Sequence, residues 1–213
     1  MKRLAGIISM LALAGCAAIE PAASQQTGWS GAWGASPTIP PAGGKAFENQ
    51  TVRQVVRLST GGSAVRVRFT NEYSDKPLDI GAATIAIAGA DGKPTGEILT
   101  LTFGGKPSVA IPAGAPLLSD PVALSVKALD SLSLSIFLPT ATGPCTCHFA
   151  GTATAYLSSS GDFTRTGFEP ASTFTNRAFI SGVEVTRPDP RTIITFGDSI
   201  TDGTASTVNA NKR

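Results

Sequence analysis

Between Thr51 and Pro139 the chain repeats one pattern: short runs with an apolar side chain at every second position, each cut off by glycine or proline. A period of two sends alternate side chains to opposite faces of an extended strand, one face for a core and one for water. Val65, Val67 and Phe69 alternate with Arg66 and Arg68, and Leu132, Leu134, Ile136 and Leu138 alternate with Ser133, Ser135 and Phe137. Ala83–Ala88 directs Ile85 and Ile87 inward, and Ile98–Phe103 does the same with Leu99, Leu101 and Phe103. Val122–Val126 reads as another strand, and Val52, Val55 and Val56 alternate imperfectly with Arg53 and Arg57. Gly61-Gly62 is expected to be a hairpin turn, and Gly89, Gly92, Pro94, Gly104, Gly105, Pro112, Gly114, Pro116 and Pro121 punctuate the rest. Short strands at this spacing predict a mainly β fold, an antiparallel two-sheet sandwich of jelly-roll type. No helix of about twelve residues is expected after the N-terminal segment.

Charge narrows the partners. The 17 basic residues include Lys2 and Arg3; without those two, 15 remain against 15 acidic residues. A neutral surface offers no field for a polyanion, so nucleic acid is not an expected partner. The stripe of Arg66 and Arg68 reads as a solvated sheet face.

Residues 1–15 read as an address. Lys2 and Arg3 precede an apolar run, Leu4–Ala14, that is too short to span a bilayer. Leu13-Ala14-Gly15-Cys16 resembles the lipobox of bacterial lipoproteins, in which the cysteine is acylated and becomes the new first residue. Two or more acyl chains hold a protein firmly on a membrane surface. The resemblance implies export, a lipid membrane as partner through Cys16, and, with Ala17 rather than Asp after it, the outer membrane. Ordinary secretory cleavage near Ala17 or Ala18 is the alternative. Residues 16–28 read as a flexible tether and 29–190 as the sandwich domain.

Trp29 and Trp33 open the ordered part and are expected to pack on the first strand; paired aromatics near a surface also suit carbohydrate. Cys145-Thr146-Cys147-His148 invites a metal reading, but two thiols and one imidazole give three ligands where zinc takes four. No metal and no cofactor is expected. In an oxidising compartment a disulfide between Cys145 and Cys147 is one reading; free thiols, or bridging to another segment, are the others. His148, the single histidine, reads as structural, since no acid stands beside it in sequence.

Residues 192–196, Thr-Ile-Ile-Thr-Phe, form an apolar run without alternation, as in a strand buried on both faces of a parallel sheet. Gly197-Asp198-Ser199-Ile200-Thr201-Asp202-Gly203 follows. A hydroxyl on a Gly-flanked turn straight after a buried strand is where α/β hydrolase-like enzymes lift a nucleophile out of the sheet. The segment resembles the first conserved block of the GDSL/SGNH esterases and lipases. Residues 29–213 are similar to the branch in which a β-sandwich precedes the catalytic domain. The likeness is carried by Thr51–Arg57, Val65–Asn71, Leu101–Gly105, Ser119–Val122, Gly161-Asp162 and the Gly197–Gly203 block.

The resemblance implies a carboxylic ester substrate, with Ser199 as nucleophile and its backbone N–H as one oxyanion donor. Asp198 and Gly197 would shape the turn, and Asp202 and Asn209 would line the site mouth. The family draws its other oxyanion donors from later Gly and Asn blocks, and its acid and base from a late Asp-x-x-His motif. None of these occurs in the 213 residues. Residues 191–213 are therefore expected to hold only the first strand and nucleophile turn of a hydrolase domain, and to be inactive alone, because a serine without a base is a weak nucleophile. The alternative is a non-catalytic envelope sandwich that binds carbohydrate or another surface component.

Overall fold

The computed structural model describes residues 27–190 and 193–210. The lipidation residue Cys16 and the whole of the expected signal segment lie outside the described residues. Among the described residues no helix is long and apolar enough to cross a membrane.

Among the described residues, fourteen strands account for the regular structure. In order they are β1 (Thr27–Gly34), β2 (Gln50–Arg57), β3 (Val65–Thr70), β4 (Leu78–Ile80), β5 (Ala82–Ala88), β6 (Pro94–Thr100) and β7 (Val109–Ile111). β8 (Pro116–Leu118), β9 (Ser131–Leu138), β10 (Cys147–His148), β11 (Ala155–Ser160), β12 (Ser172–Phe174), β13 (Arg177–Ala178) and β14 (Ile180–Pro188) follow. One sheet runs β12-β11-β2-β9-β5-β6 and another β1-β14-β3-β8, with two small ribbons, β10-β13 and β4-β7. The pairings are antiparallel, and the sheets pack together as in a β-sandwich. β1 begins inside the stretch read as tether.

The period-two pattern explains the core. Val65, Val67 and Phe69 of β3 are fully buried, as are Val183 and Val185 opposite them on β14. Val52 and Val56 of β2 face Ile136 and Leu132 of β9, and all four are buried. Phe69 meets Phe103 edge-on at 5.4 Å between ring centroids, an arrangement aromatic quadrupoles favour. Trp33 packs against this core, as expected. Trp29 lies opposite Thr186 of β14 and carries the Arg66 guanidinium 4.2 Å from its ring. Arg66 also binds Glu184, and Arg68 binds Glu72. The basic stripe is thus matched by acids on its own face.

The centre of the second face of the larger sheet is not solvated. Arg53, Ser133, Ser135 and Thr84 are buried there, because the loop after β11 folds over them. Arg53 donates through Nε to Ser135 Oγ and through Nη2 to the carbonyls of Phe163 and Thr166. Its guanidinium lies 4.7 Å from the Phe168 ring.

Three local expectations are corrected. Gly61-Gly62 is not a hairpin: β2 and β3 belong to different sheets, and the segment crosses between them. The glycines serve close approach instead, since a Cβ at Gly61 would strike Val126 O and one at Gly62 would strike Thr186 O. Val122–Val126 is not a strand; Val122 and Val126 make isolated bridges to Val65 and Gly62. The strand expected over 98–103 lies earlier, at Pro94–Thr100, and Leu101 and Phe103 reach the core from the connection that follows.

The stretches that carry the family likeness hold loops to sheets. Asp120 accepts hydrogen bonds from Thr102 Oγ1 and from the backbone N–H groups of Gly104 and Gly105. These contacts hold its carboxyl below the usual carboxylate range, the Gly105 N–H contributing most. Asn71 Nδ2 donates to the carbonyls of Lys76, Ile111 and Pro112. Asp162 Oδ1 accepts from the N–H and the hydroxyl of Thr164.

Candidate active-site turn and its seat on the sandwich

The short ribbon of β10 and β13 forms the seat. Cys145 and Cys147 are joined by a disulfide, with Cα atoms 5.4 Å apart, a separation ordinary for bridged cysteines. The bond uses both thiols, so the Cys-Thr-Cys-His run offers only the His148 imidazole to a metal. Thr38 binds the Cys147 carbonyl through its N–H and its hydroxyl, fixing β10 from the other side. Arg177 lies opposite His148 in the ribbon, is fully buried and donates to Ala153 O.

Residues 193–196 do not form the expected strand; Thr192 lies outside the described residues. Ile193 is 93%, Ile194 85% and Phe196 101% exposed. A strand needs a neighbour for its backbone donors and acceptors, and none of the sheets accepts this one.

Gly197–Gly203 is a run of turns held by its own backbone and by Asp198. Asp198 Oδ1 accepts from the Ile200 N–H, and the Asp198 carbonyl accepts from the Asp202 N–H. The Ser199 carbonyl accepts from Thr204 N. Asp198 therefore closes the turn with its short side chain. A Cβ at Gly197 would overlap the Thr201 side chain, and Gly203 sits at φ +84°, so both glycines are required by geometry. Ser199 is exposed. Among the described residues its hydroxyl makes no hydrogen bond.

Asp202 and Asn209, expected at a site mouth, both face the sandwich. Asp202 Oδ1 lies 3.0 Å from His148 Nε2. The other ring nitrogen, Nδ1, lies 2.9 Å from Ser36 O. His148 thus has an acid partner 54 positions away, which the local sequence did not reveal. Asn209 donates its N–H to Thr152 O, accepts from Thr154 N and donates from Nδ2 to Thr154 Oγ1. It adopts φ 64°, a conformation asparagine tolerates well.

The arrangement decides what His148 can do. A serine nucleophile needs a base with a free ring nitrogen aimed at its Oγ. Both nitrogens of His148 are engaged, one by Asp202 and one by Ser36 O. The turn presents a serine; the histidine is occupied in seating that turn. An open groove of about 460 Å³ lies elsewhere, lined by Thr60, Gly61, Gly62, Ser125, Thr186 and Arg187, and contains none of these residues.

No protein-family model matches the chain, and no curated protein matches it significantly.

Proposed function

We propose that these 213 residues carry the jelly-roll-type sandwich and the nucleophile turn of an exported, lipid-anchored carboxylic ester hydrolase of the GDSL/SGNH type. The observation that supports this most is the Gly197–Gly203 turn, which is closed by Asp198, requires glycine at both ends and leaves Ser199 exposed. The apolar strip of Ile193, Ile194 and Phe196 supports it too, for a strand buried on both faces of a parallel sheet needs such a composition. In that enzyme Ser199 Oγ would attack the ester carbonyl, its own N–H would help hold the oxyanion, and water would release the acyl group. The general base and the remaining oxyanion donors would come from residues other than these.

Sequencing the gene across and beyond codon 213 tests this reading. A continuing frame with Gly, Asn and Asp-x-x-His blocks is expected; a frame without them would remove the hydrolase assignment. Anchoring is tested separately by metabolic labelling with a palmitate analogue, where incorporation should vanish in Cys16→Ser.

A second reading, a non-catalytic envelope sandwich that binds carbohydrate, draws on one feature. Trp29 shares the outer face of its sheet with Thr186, Arg66 and Glu184. Trp33 packs against the core and supplies no such surface. Saturable glycan binding lost in Trp29→Ala would favour this reading, and flat titrations would remove it.

A further inference from the structure

Neutral imidazole carries one N–H, yet His148 faces two acceptors: the Ser36 carbonyl at 2.9 Å from Nδ1 and the Asp202 carboxylate at 3.0 Å from Nε2. Only the imidazolium can donate to both. We propose that His148 is a positioning residue: as an imidazolium it latches the Gly197–Gly203 turn to the sandwich, and its deprotonation loosens that turn. The proposal rests on reading Gly197–Gly203 as the nucleophile turn, because only then does the latch set where Ser199 stands.

The surroundings fit a latch. His148 is 8% exposed at its side chain, so its contacts are sheltered from competing water, whereas Asp202 on the turn is 38% exposed. Among the described residues, the charged groups facing the ring are Asp202 from the turn and Arg177 from β13. The disulfide between Cys145 and Cys147 and the paired Thr38 contacts fix the backbone that carries the ring. Asn209 ties the far end of the same segment to Thr152 and Thr154 without any titrating group. Among the described contacts, the Asn209 tether carries no titrating group and the His148 tether does.

The sign follows from the donors. Histidine changes charge between about pH 5 and 8. On the acid side both acceptors receive a proton and the turn is held. As pH rises the ring keeps one proton, and one of the two acceptors then faces a lone pair.

The test uses the full chain without added histidines, so that the ring resonances belong to His148 alone. Ring nitrogen shifts and amide exchange of residues 198–209, corrected for intrinsic rates, are followed together against pH. In the wild type the amides of Asp202 and Thr204 should exchange roughly tenfold faster once the ring has lost a proton. Asp202→Ala, which leaves nothing to accept from Nε2, should give fast exchange at every pH. Asn209→Ala should speed exchange without changing its pH dependence. His148→Ala should match Asp202→Ala, and if it does not fold, Asp202→Ala decides alone, because Asp202 is outside the core. Wild-type exchange that ignores the ring's charge, or exchange in Asp202→Ala that stays slow at acid pH, would overturn the latch. Neither readout involves ester turnover, so a failed latch and a failed hydrolase reading are distinguishable.

Discussion

Gln54 and Ala178 exchange two hydrogen bonds of 2.8 Å: Gln54 Nε2 donates to the Ala178 carbonyl, and the Ala178 N–H donates to Gln54 Oε1. Both residues are completely buried. A side chain of the six-stranded sheet thereby completes the edge of the β10–β13 ribbon, the element that carries His148. The catalytic-looking turn is connected to the core of the sandwich through this pair.

Gln54→Leu keeps the volume but leaves the Ala178 N–H and carbonyl buried without partners. Each orphaned group costs about 1–3 kcal/mol. Urea unfolding should show the chain destabilised by about 2–4 kcal/mol. A midpoint equal to wild type would mean that the ribbon is not held by this contact.

Arg53 is a buried cation satisfied by one hydroxyl, two carbonyls and an aromatic face, and burial pushes its guanidinium below its ordinary value. A lysine cannot reproduce the fork that reaches Ser135, Phe163 and Thr166 at once. Arg53→Lys should cost about 1–3 kcal/mol and should raise protease cleavage within residues 161–168, the loop that the fork holds down. Unchanged cleavage would assign that loop's position to other contacts.

Asp120 gives a pH dependence with a definite sign. Its folded carboxyl binds protons more weakly than an ordinary one near about pH 3.9. Its contribution is therefore fully present above that range and is lost as pH falls through the lowered folded value. Asp120→Asn should lower the unfolding midpoint at pH 7, and the difference from wild type should shrink on acidification. A difference that stays constant with pH would show that the charge is irrelevant to the Gly104-Gly105 turn.

The crossing between sheets makes a steric prediction. Gly62→Ala places a methyl group against Thr186 O and the Val185 side chain, so the connection must shift. A loss of about 1–3 kcal/mol is expected, with wild-type far-UV dichroism. Wild-type stability would show that the crossing connection yields at this contact without cost.

Much of the fold was legible because alternation is a local signal. β3 and β9 follow from Val65-Arg66-Val67-Arg68-Phe69 and Leu132–Leu138 directly, since each residue's face depends only on its neighbours. The burial of Arg53 and Ser135 was not legible, because it comes from a loop more than a hundred positions after β2. Gly61-Gly62 misled for a related reason: two glycines permit a turn, but they also permit a backbone to pass close to another chain segment. In the candidate site, the turn itself was readable from Gly197, Asp198 and Gly203. The seat was not, because nothing near His148 in sequence announces Asp202, and nothing near Asn209 announces Thr154.

Hydrolysis of p-nitrophenyl acetate by the 213-residue chain, beside its Ser199→Ala variant, tests the central claim most directly: the turn presents a serine, and the chain's one histidine is engaged elsewhere. Equal rates are predicted, no faster than the protein's background, because the His148 ring nitrogens face Asp202 and the Ser36 carbonyl and neither is hydrogen-bonded to Ser199 Oγ. Turnover that disappears in Ser199→Ala would show that a base within these residues activates Ser199, and would contradict the account.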